Sequence, residues 1–288
     1  MIFEIEDIPI YFPYDTIYPE QLSYIKSLLK SLQKPGVILI EMPSGAGKTI
    51  SLLSCTVSFL IYSRKFNKQH KIVYCSRTLQ EIDKVLDELK KLILYIQKYI
   101  EFDFLGFGLS KRENLCINPA AKEGNVELIC RKMINKLDNL KCDFYENRNF
   151  EIPGGVYTFN EIKALGKKNN FCPYFTIREA ILKCDCIVYP YNYIIDPSIY
   201  TIISEKFQDD CIVIFDEAHN IDSHCIESLS LEINRNLLEA ATKVLKNLEE
   251  KISTAKQEVK DKLLRTQKIT ELKDEGIPYW INNKVIDL

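Results

Sequence analysis

No stretch of this sequence is apolar for long enough to span a bilayer, so no membrane partner is expected. The first residues, Met1-Ile2-Phe3-Glu4-Ile5-Glu6-Asp7, are acidic where a secretory signal would be basic. The formal net charge is only −2, so a nucleic-acid partner is neither demanded nor excluded and any basic groove must be local. The ten cysteines include no Cys-x-x-Cys pair. Without a secretory signal, so many thiols point to a reducing compartment and to metal or cluster chemistry, not disulfides. Histidine is scarce, with only His70, His219 and His224 in the chain. From Ser198 to Glu275 there is neither Gly nor Pro, and no repeat or low-complexity tract interrupts the rest.

Against these absences stands one dense segment. Val37-Ile38-Leu39-Ile40 reads as an apolar strand that runs into Glu41-Met42-Pro43-Ser44-Gly45-Ala46-Gly47-Lys48-Thr49. Short residues let several backbone N–H groups point into one concavity, which suits a polyphosphate. Ser44, Gly45, Ala46 and Gly47 would form the cradle for ATP. Lys48 can reach the β- and γ-phosphates, and the Thr49 hydroxyl can ligate Mg²⁺. The usual first glycine of such a loop is replaced by Met42. A second element supports the reading. Cys211-Ile212-Val213-Ile214-Phe215 has the continuous apolar character of a buried parallel strand. Asp216-Glu217-Ala218-His219 follows at its C-terminal end, the edge where open α/β sheets place ligand chemistry. Asp216 can hold Mg²⁺ and Glu217 can orient or deprotonate an attacking water, roles that phosphoryl transfer needs. Two acids capping the next helix are the simpler alternative, but the two elements in this order describe one NTPase site.

The 288 residues, 46% apolar, suffice for a full α/β domain with insertions. Lys71-Ile72-Val73-Tyr74-Cys75-Ser76 reads as a second buried strand, residues 102–108 as a third and Cys186-Ile187-Val188-Tyr189 as a fourth. Thr78-Leu79-Gln80-Glu81 is a capping box, and the helix after it carries Leu79, Ile82, Val85, Leu86, Leu89, Leu92 and Ile93 on one face. Strands alternating with helices imply an α/β fold with a parallel doubly wound sheet. Residues 110–175, rich in Cys, Asn and Lys, break this rhythm as an insertion. The helical spacing of Leu237, Leu238, Ala241, Val244, Leu245, Leu248, Ile252, Ala255, Val259 and Leu263 predicts a long helix or helical hairpin.

Cys55, Cys75, Cys186 and Cys211 lie in apolar elements and read as small core residues. Cys184 and Cys225 have no clear partner set. Cys116, Cys130, Cys142 and Cys172 share the insertion, and four thiolates there can close a metal or cluster site. No histidine lies in the insertion, which limits a zinc site to the four cysteines. Spacing alone leaves cluster, zinc and free thiols open.

Taken together, these residues resemble the XPD-type iron–sulfur superfamily 2 DNA helicases of the eukaryotic transcription and repair factor TFIIH. The matching segments run from Tyr11-Phe12-Pro13-Tyr14-Asp15 and Tyr18-Pro19-Glu20-Gln21 through the Met42 loop and Tyr74-Cys75-Ser76-Arg77-Thr78. They continue through Arg112-Glu113-Asn114-Leu115-Cys116, Ala164-Leu165-Gly166 and Phe171-Cys172-Pro173-Tyr174-Phe175 to Phe215-Asp216-Glu217-Ala218-His219-Asn220-Ile221-Asp222. The resemblance implies a RecA-like motor domain from residues 1–109 and 176–235, a [4Fe–4S] domain inserted at 110–175 and the start of a helical Arch-like domain at 236–288. It implies that Cys116, Cys130, Cys142 and Cys172 hold the cluster and that Gln21 helps to read adenine. Ser76, Arg77 and Thr78 are then expected on the DNA backbone, with Tyr174 and Arg178 along the path of single-stranded DNA. Arg112, beside the first of these cysteines, is expected to contact a phosphate. Surface salt bridges for the arginines and core packing for Tyr174 are the ordinary alternatives.

The resemblance further implies an ATP-dependent 5′→3′ DNA helicase in the nucleus, working with other TFIIH subunits in nucleotide excision repair and transcription initiation. Lys48, Asp216 and Glu217 would carry the ATP chemistry. A second motor domain is absent from these residues, so a fragment or a truncated product is expected, inactive alone. The rivals are another iron–sulfur helicase and a non-catalytic nucleotide-binding scaffold.

Overall fold

The structure, a computed structural model, describes residues 1–34, 36–43, 45–137, 140–196, 211–230 and 233–274. The chain separates into two compact units, residues 1–229 and 230–288.

In the first unit the sheet is made by β3 (Lys71–Ser76), β4 (Leu105–Gly108), β5 (Gly155–Tyr157), β6 (Cys186–Pro190) and β7 (Cys211–Phe215). All pairings are parallel, in the order β5-β4-β6-β3-β7. The strands read as unbroken apolar runs because helices cover both faces of such a sheet. Every residue of β3 is buried. Helix α3 (Leu79–Ile96) is nucleated by the expected capping box, with the Thr78 hydroxyl accepting from the Glu81 N–H and the Glu81 side chain accepting from the Thr78 N–H. It buries the expected stripe from Ile82 to Ile93 and adds Ile96.

Helix α2 (Lys48–Arg64) is buried nearly all round. Its neighbours are α1 (Pro19–Leu32) and an antiparallel hairpin of β1 (Ile2–Ile5) and β2 (Ile8–Tyr11). Two of its small hydroxyl residues are hydrogen-bonded within this burial. Ser58 accepts the Tyr11 N–H at 3.0 Å, and Thr56 donates to the Leu52 carbonyl at 2.9 Å. The hairpin was not legible in the sequence, because its turn, Glu6-Asp7, places two non-glycine residues at positive φ (50° and 62°).

Two differences from expectation are physical. Residues 37–40 form no strand, and Val37 and Leu39 are almost wholly exposed. A strand persists only by pairing with a neighbour, and among the described residues none pairs with this segment. The outer edge of β7 is likewise unpaired among the described residues, and its Val213 is 48% exposed. The second difference concerns the inserted segment. Its helices α4 (Arg112–Leu115), α5 (Pro119–Lys122), α6 (Val126–Ile134) and α7 (Asp143–Glu146) are short, but β5 joins the sheet beside β4 and α8 (Phe159–Lys168) follows directly from it. The segment therefore contributes to the main core through Val156, Phe159 and Ile162. After it come α9 (Pro173–Ala180), α10 (Asn192–Ile195) and α11 (Ile221–Leu229).

The second unit is a single helix as far as it is described, α12 (Arg235–Asp274). Of the two alternatives, long helix or hairpin, the long helix forms over this span. Through residue 262 its described positions are exposed, including the apolar stripe.

Candidate functional site

Parallel register brings three strand ends to one edge. Cys75 on β3 lies beside Tyr189 on β6 and Phe215 on β7. The residues that follow each strand, Ser76 to Thr78, Tyr191, and Asp216 with Glu217, therefore emerge together at the C-terminal edge of the sheet. The Asp216 N–H extends the ladder by donating to the Cys75 carbonyl at 3.0 Å, and the Tyr191 N–H donates to the Ser76 carbonyl at 3.1 Å.

The loop before α2 reaches the same edge. Gly47 caps α2 at φ 78°, ψ 41°, a left-handed conformation that costs glycine little. A Cβ there would also stand 2.5 Å from Gln21 Nε2. Gln21 is buried, and its Oε1 accepts the Tyr18 N–H at 3.0 Å, so its carboxamide is fixed against the loop. Ser44 lies outside the described residues. Lys48 Nζ donates to Glu217 Oε1 at 2.6 Å across 169 positions of sequence. Glu217 itself sits at φ 53°, ψ 47°, a left-handed conformation that non-glycine residues seldom adopt.

Asp216 is held at both its carboxylate and its carbonyl. The Tyr74 hydroxyl donates to its Oδ2 at 2.8 Å, the Tyr191 hydroxyl donates to its carbonyl, and Thr49 hydrogen-bonds the Tyr74 oxygen. Burial raises the Asp216 carboxyl above the usual carboxylate range, while the Tyr74 hydrogen bond works the other way. Burial, with the charge of Asp216 and its hydrogen bond, pushes the Tyr74 phenol well up, so it stays a neutral donor. Asp216 and Thr49 line a cleft of about 690 Å³ together with Gly45, Ala46, Gly47, Gln21 and Tyr18, and the Lys48–Glu217 pair adjoins them in sequence. Backbone N–H groups, a lysine and two acids around such a cleft can cradle a polyphosphate with its divalent ion.

The Ser76–Thr78 turn is organised by one carboxylate. Glu81 Oε2 accepts from Ser76 Oγ at 2.9 Å and from the Arg77 and Thr78 N–H groups at 3.1 Å. Burial opposes ionisation of Glu81, but the Ser76, Thr78 and Arg77 bonds outweigh it and hold the carboxyl below its usual range. Ser76 is buried with its hydroxyl committed to Glu81, whereas Arg77 and Thr78 are exposed.

The insertion gathers its four cysteines. Cys116 and Cys142 lie close enough to raise the Cys130 and Cys172 thiols by charge, and Cys142 does the same to Cys116. Burial is the larger effect at Cys116, Cys130 and Cys172, and takes Cys172 to about 11. Donors aim at the sulfurs: Asn118 Nδ2 at 3.3 Å from Cys142 Sγ, the Asn118 N–H on Cys116, the Tyr174 and Phe175 N–H groups on Cys172, and Arg112 on Cys130. Among the described residues no group of three or more His, Cys, Asp or Glu is arranged to hold one metal ion.

Arg112 meets Tyr174 and Arg178, one turn apart on α9, beside these thiols. The guanidinium carbons of Arg112 and Arg178 stand 5.2 and 4.6 Å from the Tyr174 ring centroid, within cation–π range. Arg112 also bonds the Tyr174 hydroxyl.

The protein-family model described as DEAD_2 matches residues 74–238, more than half of the chain. The chain belongs to the DEAD_2 family. Its sequence is 44% identical over 283 residues to the Schizosaccharomyces pombe "General transcription and DNA repair factor IIH helicase subunit XPD", covering 91% of this chain. It is 41% identical over 285 residues to the Saccharomyces cerevisiae XPD/RAD3 subunit, again covering 91% of this chain. It spans 36% of the length of each of these relatives. A homologue of regulator of telomere elongation helicase 1 from Anopheles gambiae is 26% identical, so the XPD-type resemblance is the nearer one. The solved structure named "XPD_Helicase" superposes with a TM-score of 0.50 at 19% identity, covering 73% of this chain and 34% of that one. It agrees in fold with the parallel sheet described above.

Within this DEAD_2 chain, several site residues were not singled out by sequence. Tyr74 sits inside a continuous apolar strand, Tyr191 follows another, and Glu81 is legible only as a helix cap. Nothing in their local pattern separates a tyrosine aimed at a carboxylate from one packed in a core.

Proposed function

We propose that this chain is the N-terminal portion of an ATP-dependent 5′→3′ DNA helicase of the XPD type, a nuclear protein acting within TFIIH in excision repair and transcription initiation. The observation that carries the reading is that Thr49 and Asp216 line one cleft while their chain neighbours Lys48 and Glu217 pair with each other. The names of the relatives support the assembly and the processes. Gln21 and the loop from Ser44 to Gly47 would seat ATP, with Lys48 on its phosphates. Thr49 and Asp216 would hold Mg²⁺, which when bound neutralises charge on the phosphates. Glu217 would orient and deprotonate the attacking water once Lys48 has exchanged it for phosphate.

Cys116, Cys130, Cys142 and Cys172 would hold a [4Fe–4S] cluster. Their fit is supported by N–H donors on the sulfurs and by the nearby guanidinium, a pattern suited to cluster thiolates. When bound, the cluster would tie four points of the insertion together. Single-stranded DNA would pass Arg77 and Thr78 and then the Arg112–Tyr174–Arg178 group, where stacking and cations suit bases and phosphates.

The test is ATP hydrolysis with and without single-stranded DNA. In superfamily 2 motors a second domain supplies arginines to the developing charge, worth about 10³-fold or more in rate. Residues 1–288 alone should bind Mg²⁺–nucleotide weakly and turn over negligibly. Adding the remainder of the longer protein should restore DNA-stimulated turnover. Robust strand separation by residues 1–288 alone would sink the half-motor reading, and no turnover even after reconstitution would favour a scaffold.

A further inference from the structure

The buried hydroxyl of Tyr74 forms no part of the chemistry just described, yet it stands between two residues that do. It donates to Asp216 Oδ2 at 2.8 Å and accepts from the Thr49 hydroxyl. The ring is fully buried in β3, so the hydroxyl cannot turn away. A hydroxyl that ligates a metal does so through an oxygen lone pair, and its proton must go elsewhere. Here the chain of donors runs one way, from Thr49 through Tyr74 to Asp216. It takes the Thr49 proton toward Tyr74 and occupies one carboxylate oxygen. That leaves a Thr49 lone pair and Asp216 Oδ1 as acceptors for a cation. Each link also polarises the next, which strengthens the whole.

We propose that Tyr74 is a positioning residue for the divalent ion, aligning Thr49 and Asp216 as acceptors before nucleotide arrives. The proposal rests on the reading of this cleft as a Mg²⁺–nucleotide site. Without the phenol, the Thr49 hydroxyl loses that oxygen as a partner, and the Asp216 carboxylate loses the donor that fixes its rotation. Outer hydrogen-bond partners of metal ligands typically contribute 10–100-fold to metal affinity.

The experiment titrates a fluorescent ADP analogue into residues 1–288, first in EDTA and then at increasing Mg²⁺. Tyr74→Phe removes one oxygen and keeps the ring, so packing is retained; a thermal melt checks it. The expected result is a half-saturating Mg²⁺ concentration raised about tenfold, with affinity in EDTA within about twofold of wild type. Mn²⁺ titrated in place of Mg²⁺ and followed by electron paramagnetic resonance should show the same shift without reliance on the fluorophore. An unmoved Mg²⁺ requirement, or equal losses with and without Mg²⁺ as a merely loosened core would give, overturns the proposal. Lys48→Ala run alongside separates the two claims. If it loses nucleotide in EDTA while Tyr74→Phe fails to shift Mg²⁺, the cleft reading stands and the Tyr74 role falls. If Lys48→Ala binds as wild type does, the cleft reading falls and the Tyr74 role with it.

Discussion

Lys48 directs its charge at Glu217, not at open solvent, and this changes what each variant should do. The ion pair is 2.6 Å long, with side chains 29% and 44% exposed. Phosphate entering the cleft must displace Glu217 from Lys48. Glu217→Gln removes the competitor and keeps the shape, so nucleotide should bind about two- to fivefold more tightly, the range of a solvent-exposed pair. Lys48→Ala removes the cation itself and should weaken binding. Equilibrium titration with ADP checks both, and weaker binding by Glu217→Gln would show that the pair does not compete with phosphate. From the sequence both residues are expected at one site, but 169 positions separate them and their pairing cannot be read from it.

At the scale of elements, the insertion shows what spacing omits. Cys116 ends the short helix α4, Cys130 lies on α6, Cys142 precedes α7 and Cys172 caps α9. Four helix ends or faces bring the thiols together, and no spacing rule encodes that. Anaerobically purified protein should be brown, and Cys116→Ser, Cys130→Ser, Cys142→Ser or Cys172→Ser should each bleach it. Cys184→Ser should not, since Cys184 is buried elsewhere and donates to the Ile181 carbonyl. Metal analysis and visible absorbance decide the matter; stoichiometric zinc without iron would refute the cluster. Helix α12 was legible for the opposite reason. Its apolar positions, Leu238, Leu245, Leu248, Ile252 and Val259, follow helical spacing in a span free of Gly and Pro, so local rules suffice.

For the molecule as a whole, the edge of β7 that no described strand covers is the feature with the largest consequence. Val213 is 48% exposed in mid-strand, and Val37 and Leu39 are exposed in an unpaired segment. Unpaired apolar strand edges invite pairing with another chain. Residues 1–288 on their own should therefore self-associate as concentration rises, and Val213→Lys should shift them toward monomer in light scattering. A wild-type chain that stays monomeric throughout would show that this edge is protected.

The sequence by itself determined the strands β3, β6 and β7, the capping box of α3 and the small-residue loop that leads into α2. Each of these is a local property, written in an unbroken apolar run, a hydroxyl three residues before a glutamate, or a small-residue loop before Gly-Lys-Thr. Only the tertiary structure decided that residues 37–40 stay unpaired among the described residues, that β5 leaves the insertion for the sheet, and that Tyr74 joins Thr49 to Asp216. Those outcomes depend on which strand lies beside which and in what register. Parallel strands are joined through long crossovers, so that information is spread across the chain and no local window contains it.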